Sequence, residues 1–203
     1  LLDILTNFRL SPSALLPHNC VVKLVIAITG ASGAIYAQRL LDNLDARAHE
    51  IHVLYSGHAR TVIAEELGKL VVAPEVIQHP DDRSMRVPFV SGSARFEAMI
   101  VIPCSMGTLA RIAHGISDST ITRAADVFLK ERRKLILVPR ESPMSLIHAR
   151  NLAAALEAGA TVIPASPSFY SHPQTIPQLV DTITARVLDH LGIAHQLHKR
   201  WDG

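Results

Sequence analysis

The sequence predicts an open, doubly wound α/β sheet with helices on both faces, and two patterns carry that prediction. From residue 21 onward, short runs of apolar and β-branched residues alternate with segments whose apolar residues recur every three or four positions. The apolar runs are also nearly unbroken, as strands buried on both faces of a parallel sheet require. A chain of 203 residues is long enough to bury one substantial core, so a single domain is expected.

The first strand is expected over 21–29 (VVKLVIAIT), with a helix at about 33–45. A second strand at 50–55 (EIHVLY) leads into a helix at 57–68. Residues 79–96 (HPDDRSMRVPFVSGSARF) fit neither period and read as an excursion. The third strand, 98–103 (AMIVIP), precedes two helices, 105–113 and 119–132. Strands at 134–138 (KLILV) and 160–164 (ATVIP) are each followed by a helix, at 144–158 and 175–191.

Composition narrows the function classes. Hydrophobic residues make up 48% and charged ones 19%, the profile of a compact soluble protein; with aromatics at 4%, Val, Ile, Leu and Ala must fill the interior. The net charge is only +2 and Lys and Arg are dispersed, so the basic footprint of a nucleic-acid binder is missing. No window approaches the roughly 18 apolar residues of a membrane span. Cys20 and Cys104 lie far apart in unlike contexts, which argues against a disulfide framework and fits a reducing cytoplasm. His114, His148 and His172 lack acidic or Cys partners at ligand spacing, so no metal is expected.

The opening twenty residues (LLDILTNFRLSPSALLPHNC) lack the basic first region of a signal peptide, and Asp3, Asn7 and Arg9 interrupt their apolar stretches. With Leu where an initiating Met would stand, 1–20 is expected to be an irregular leader of expression or annotation origin. The domain is expected over 21–203.

In doubly wound sheets ligands collect outside the carboxyl ends of the strands. There the first strand delivers Thr29-Gly30-Ala31-Ser32-Gly33, opening a helix whose first N–H groups and dipole favour an anion. A plain tight turn would use glycine too. The pattern is not the dinucleotide G-x-G-x-x-G, and the second strand ends in Tyr55-Ser56 where a ribose-binding acid is expected. A mononucleotide fits better.

After the third strand, Pro103-Cys104-Ser105-Met106-Gly107-Thr108 places two hydroxyls on one face of a helix start; an ordinary N-cap is the alternative. Cys104 is expected to pack rather than react. Arg123 and Lys130 share a helical face, and Arg140-Glu141 emerges just beyond a buried strand. Arg132, Arg133 and Lys134 fit solvated surface charges. The loop 164–175 carries Phe169 and Tyr170, and Arg186 follows on the last helix; a hydroxyl and a guanidinium suit a phosphate.

Taken together, "TGASGAIYA", Ser56, "SGS" at 91–93, "PCSMGTL", "TRAADVFLKERRKLILVPRESP", "FYSHPQT" and "KRW" resemble the flavin prenyltransferase family of UbiX-type flavoproteins, in family order from about Lys23 to Trp201. The resemblance implies a Rossmann-like, flavodoxin-like flavoprotein domain that binds FMN at subunit contacts of a homo-oligomer, typically a dodecamer, without a metal. It implies transfer of a dimethylallyl group from dimethylallyl monophosphate to reduced FMN, at N5 and C6, yielding prenylated FMN for UbiD-type decarboxylases.

Carried over by position, Gly30, Ala31, Ser32, Ser56, Ser105, Met106, Gly107, Thr108 and Arg140 would contact FMN. Arg123, Lys130, Tyr170 and Arg186 would hold the prenyl phosphate. Ser32, Glu66, Lys130 and Glu141 would be catalytic, with Ser32 and Glu66 handling protons near N5 while Lys130 and Glu141 assist the departing phosphate. Glu65 adjoins Glu66, and Gly57 stands where the family carries Lys. Two other readings are an FMN-dependent cysteine decarboxylase of the phosphopantothenoylcysteine type and a non-catalytic flavin carrier subunit. The first would carry an Asn-bearing PASANT-like loop where this chain reads PCSMGT.

Overall fold

The computed structural model describes residues 21–197. The leader, Cys20 and the KRW motif lie outside the described residues. Six strands, β1 (Lys23–Ile28), β2 (Glu50–Tyr55), β3 (Ile77–His79), β4 (Ala98–Cys104), β5 (Lys134–Pro139) and β6 (Thr161–Val162), form one sheet in the order β3-β2-β1-β4-β5-β6. Every pairing is parallel. The helices are α1 (Ala34–Asp42), α2 (Ala59–Leu67), α3 (Met106–Ala113), α4 (Thr120–Lys130), α5 (Leu146–Glu157) and α6 (Ile176–Leu191). This is the predicted doubly wound, Rossmann-like architecture. The strand order reverses between β1 and β4, which opens a crevice at their carboxyl ends.

Alternate residues of each strand serve two cores. Leu24, Ile26 and Ile28 of β1 pack with Ile100 and Ile102 of β4 under α1 and α6. Val25, Ala27, Met99 and Val101 pack on the opposite face with Leu109, Ile121 and Phe128 of α3 and α4. Both faces of the central strands are therefore dry, which explains their unbroken apolar runs.

Helix starts follow local chemistry. Gly33 takes a left-handed φ of 113° at the start of α1, and a Cβ there would stand 2.9 Å from the Tyr36 ring. Ser119 caps α4 in a reciprocal pair with Thr122, and Thr175 caps α6.

Three elements differ from the sequence reading. β3 falls outside every predicted strand, because an edge strand of three residues with an exposed Ile77 leaves no buried run to detect. It is held by His52 Nδ1 against His79 Nε2 at 2.8 Å and by the Tyr55 hydroxyl donating to Gln78 Oε1 at 2.7 Å. Burial holds both imidazoles below the ordinary histidine range. The excursion at 79–96 contains a short 3-10 turn, Pro88–Val90, anchored by the wholly buried Phe89 against His52, His79 and Phe96. The strand expected over 160–164 pairs only at Thr161–Val162.

α1 is tied to α6 by a two-pronged ion pair: Arg39 Nε and one terminal nitrogen each donate to Asp181 at 2.8 Å. The Asp181 side chain is 9% exposed, so losing its partner strands a charge away from water. Arg39→Ala is expected to lower unfolding free energy by roughly 2 kcal/mol in a urea titration; a change under about 0.5 kcal/mol would contradict this account of how α1 is placed.

Candidate functional site

The crevice is stitched shut at its base by Thr29. Its amide and its hydroxyl both donate to the Pro103 carbonyl, at 3.2 and 2.8 Å, and its hydroxyl oxygen accepts from the Ser105 amide at 2.7 Å. This buried side chain joins the β1 turn to the start of α3 across the point where strand order reverses. Above it lies an open cleft of about 500 Å³ lined by Gly30, Ser56, Gly57, His58, Asp82, Arg83, Ser105, Thr108, Arg111, Asp118, Ser119, Ile121 and Thr122.

Four helices start around this cleft, so their unpaired N–H groups and dipoles converge on it. Three of those starts are closed from within the protein. Ser105 accepts from the Thr108 amide, and Ser119 from the Thr122 amide. At α1, the Glu66 carboxylate reaches over from α2 and accepts from the Gly33 amide at 2.9 Å and the Ala34 amide at 2.7 Å. The anion that the glycine turn was expected to attract is thus met by the protein's own carboxylate. α2 has no side-chain cap.

Glu66 organises its surroundings. Partial burial works to raise its pKa, but the Ser32 hydroxyl, the Gly33 and Ala34 amides and the charge of Arg140 outweigh it and hold the carboxyl below its ordinary range. Arg140 in turn donates through Nε to the Ser32 carbonyl at 3.0 Å. Ser32, Glu66 and Arg140, drawn from β1, α2 and the end of β5, therefore form one polar group. It is Glu66, not the adjacent Glu65, that makes these contacts.

The remaining predicted residues divide. Gly30, Ser56, Ser105 and Thr108 line the cleft. A Cβ on Gly30 would stand 2.5 Å from that of His58, so this position tolerates no side chain without displacing α2's first residues. Ala31 and Met106 are buried, the latter in the core, and the Gly107 carbonyl accepts from Arg111 at 2.9 Å. Glu141 is half-buried and accepts from the Ser142 amide at 3.0 Å. Cys104 is fully buried and its thiol is pushed up to about 12 by desolvation, consistent with packing.

None of the predicted phosphate residues is among those that line the cleft. Arg123 pairs with Asp126 at 2.8 Å. Lys130 lies at the far end of α4, paired with Glu131 over Gly92, where a Cβ would come 2.9 Å from the ammonium. Arg186 pairs with Asp189 at 3.3 Å, one turn before His190, whose carbonyl accepts from Lys134 at the amino-terminal end of β5. Tyr170 is 91% exposed. Sequence reasoning missed His58, Arg83, Arg111 and the Ser119–Thr122 pair; the S-x-x-T spacing before an apolar run was a readable helix-start signal for the last.

A doubly wound sheet with this crevice at its switch point defines a nucleotide-binding class of protein, and the flavoprotein family model matches residues 15–188. Flavin prenyltransferase UbiX of Methanocaldococcus jannaschii is 44% identical over 185 residues, covering 89% of this chain and 98% of that protein. The crystal structure of a dodecameric FMN-dependent UbiX-like decarboxylase from Escherichia coli O157:H7 superposes with a TM-score of 0.82 at 41% identity, covering 90% of this chain and all of the other. AnUbiX (PadA1), solved in complex with FMN and dimethylallyl pyrophosphate, gives a TM-score of 0.82 at 38% identity over 91% of this chain and 99% of its own. The chain belongs to the flavin prenyltransferase family of flavoproteins.

Among the described residues, no group of three or more His, Cys, Asp and Glu is placed to hold a metal, and no helix is long and apolar enough to cross a membrane. A carboxyl whose folded pKa lies below its unfolded value stabilises the fold above the unfolded value, about 4.3 for Glu, and that contribution is lost as pH falls through the folded value. Glu66→Gln is therefore expected to be less stable than the parent at pH 7 and to show a shallower loss of thermal stability below about pH 4.5. Parallel pH–melting curves for the two proteins would contradict the capping role.

Proposed function

We propose that this protein is a flavin prenyltransferase that joins the dimethylallyl group of dimethylallyl monophosphate to reduced FMN, making prenylated FMN for a UbiD-type decarboxylase. Family membership at 44% identity carries the reading. The cleft supports it. Gly30 lets the β1 turn pack directly against His58 at the start of α2, and among the described residues the amides of Gly30, Ala31, Ser32, Gly57 and His58 have no acceptor in the protein. Those donors suit a mononucleotide.

Reduced FMN, as substrate, supplies the nucleophilic nitrogen and carbon, N5 and C6. The chain's residues orient it and manage charge. Breaking an allylic C–O bond builds positive character on the prenyl group and negative charge on the departing phosphate, so cations and an acid are needed at the leaving oxygen. We assign Arg123, Lys130, Tyr170 and Arg186 to the phosphate and Glu141 to its protonation. Ser32, in reach of Glu66, is assigned to the proton at N5. Because none of those phosphate residues lines its own chain's cleft, and Lys130 and Arg186 stand toward the carboxyl ends of their helices, we propose that neighbouring copies bring them to it in a homo-oligomer. The exposed apolar side chains Leu146, Ile147, Phe169 and Ile176 support such contacts.

Anaerobic incubation with reduced FMN and dimethylallyl monophosphate, followed by mass spectrometry of the extracted flavin, is expected to show the mass of one added prenyl unit. An unchanged flavin mass would defeat the transferase reading and leave a flavin carrier. Glu141→Gln is expected to bind FMN normally while turning over at least about a hundredfold more slowly, the lower end of the usual range for a lost general acid; undiminished turnover would remove Glu141 from the chemistry.

A further inference from the structure

Two histidines meet at the β2–β3 edge of the sheet, outside the residues that line the cleft, and neither takes part in the chemistry proposed above. The rings of His52 and His79 lie within 8° of parallel with centroids 5.1 Å apart, and His52 Nδ1 is 2.8 Å from His79 Nε2. A contact that short between rings so spaced sets them edge to edge, as an in-line N–H···N bond requires. Phe89 and Phe96 of the excursion close over the pair, their rings edge-on to His52 at 5.5 and 5.2 Å.

The neighbouring charges fix the proton count. His52 Nε2 faces the Glu50 carboxylate at 3.1 Å, and a carboxylate accepts, so the His52 proton sits there. Glu50 keeps its charge because Lys23 of β1 pairs with it at 2.7 Å; Glu97, before β4, accepts from the Lys23 amide. His52 Nδ1 therefore accepts and His79 Nε2 donates. One added proton leaves that bond intact, on the far nitrogen of His79. A second puts hydrogens on both facing nitrogens, and the bond becomes a repulsion.

β3 leads directly into the cleft wall, where Asp82 and Arg83 are lining residues. The far end of the 80–84 segment is fastened to α4: the Thr120 amide donates to the Asp82 carbonyl and its hydroxyl to the Ser84 carbonyl at 2.8 Å. Its near end hangs on the three-residue β3 ladder, the Arg60 bond to the Pro80 carbonyl at 3.1 Å and the histidine pair. We propose that His52 and His79 form a proton-sensitive latch for this wall: with at most one added proton the pair holds β3 and residues 80–84 in place, and a second proton releases them. Burial, joined for His79 by the His52 ring beside it, holds both imidazoles below their ordinary range. The released state therefore takes protons first, so the latch is fully closed above the free histidine value, about 6.5, and weakens as pH falls below it.

The test is amide hydrogen exchange read by mass spectrometry on the intact protein from about pH 7.5 to about pH 5, corrected for the intrinsic pH dependence of exchange. Peptides covering 77–84 and 119–122 are expected to lose protection by up to about tenfold per pH unit below about pH 6.5, the slope for one coupled proton, while β4 and β5 keep theirs. His79→Gln retains an N–H donor for His52 Nδ1 but does not titrate, and is expected to hold its protection through the same range. No acid response in the parent, or the same response in His79→Gln, would overturn the latch. Exchange at the imidazole C2 carbon of the unaltered protein supplies a readout that needs no variant: it follows the titration of each histidine, and both midpoints are expected below about 6.5. Midpoints at or above that value would equally overturn it.

Discussion

The contact between the Glu66 carboxylate and the amides of Gly33 and Ala34 organises the cleft. It crosses from α2 to α1, so it fixes the relative height of two helices that follow adjacent strands. It also places a negative charge at the helix start that the glycine turn leaves open, which draws Arg140 inward and brings the Ser32 hydroxyl within reach. Without that carboxylate the turn would be one more anion-attracting helix start among four. With it, the cleft has a carboxylate end and a donor-rich end.

That division suits the chemistry of the family. A ligand that is anionic at one end and must exchange a proton at the other needs fixed donors for the first and a titratable pair for the second. Thr29 supports both by joining the β1 turn to α3 through the Pro103 carbonyl. Since the turns are braced by buried contacts, little reorganisation is required when charge develops.

Much of the fold was legible because burial leaves a sequence trace. β1, β4 and β5 are dry on both faces, and their unbroken apolar runs could be nothing else. β3 left no such trace, being three residues long and largely exposed, and Phe89 was hidden among Pro, Ser and charged residues although it anchors the whole excursion. At the site, the glycine turn and the Ser105–Thr108 pair were readable from spacing. Glu66 emerged only through resemblance, since its target lies 33 residues back in the chain. His58 was passed over because nothing in its neighbours reveals that Gly30 lies against it. The residues proposed for the phosphate were readable as types, but sequence does not show where the fold sets them; Lys130 and Arg186 fall toward the carboxyl ends of α4 and α6, not among the residues that line the cleft.

Glu66 at the start of α1 and the uncapped start of α2 give the cleft a fixed polarity. A crystal structure of this protein with FMN tests it most directly. The phosphorus is expected beside the free amides of Gly57 and His58, with the isoalloxazine directed toward Ser32 and Glu66. A flavin bound the other way round, its phosphate against the Gly33 turn, would contradict it.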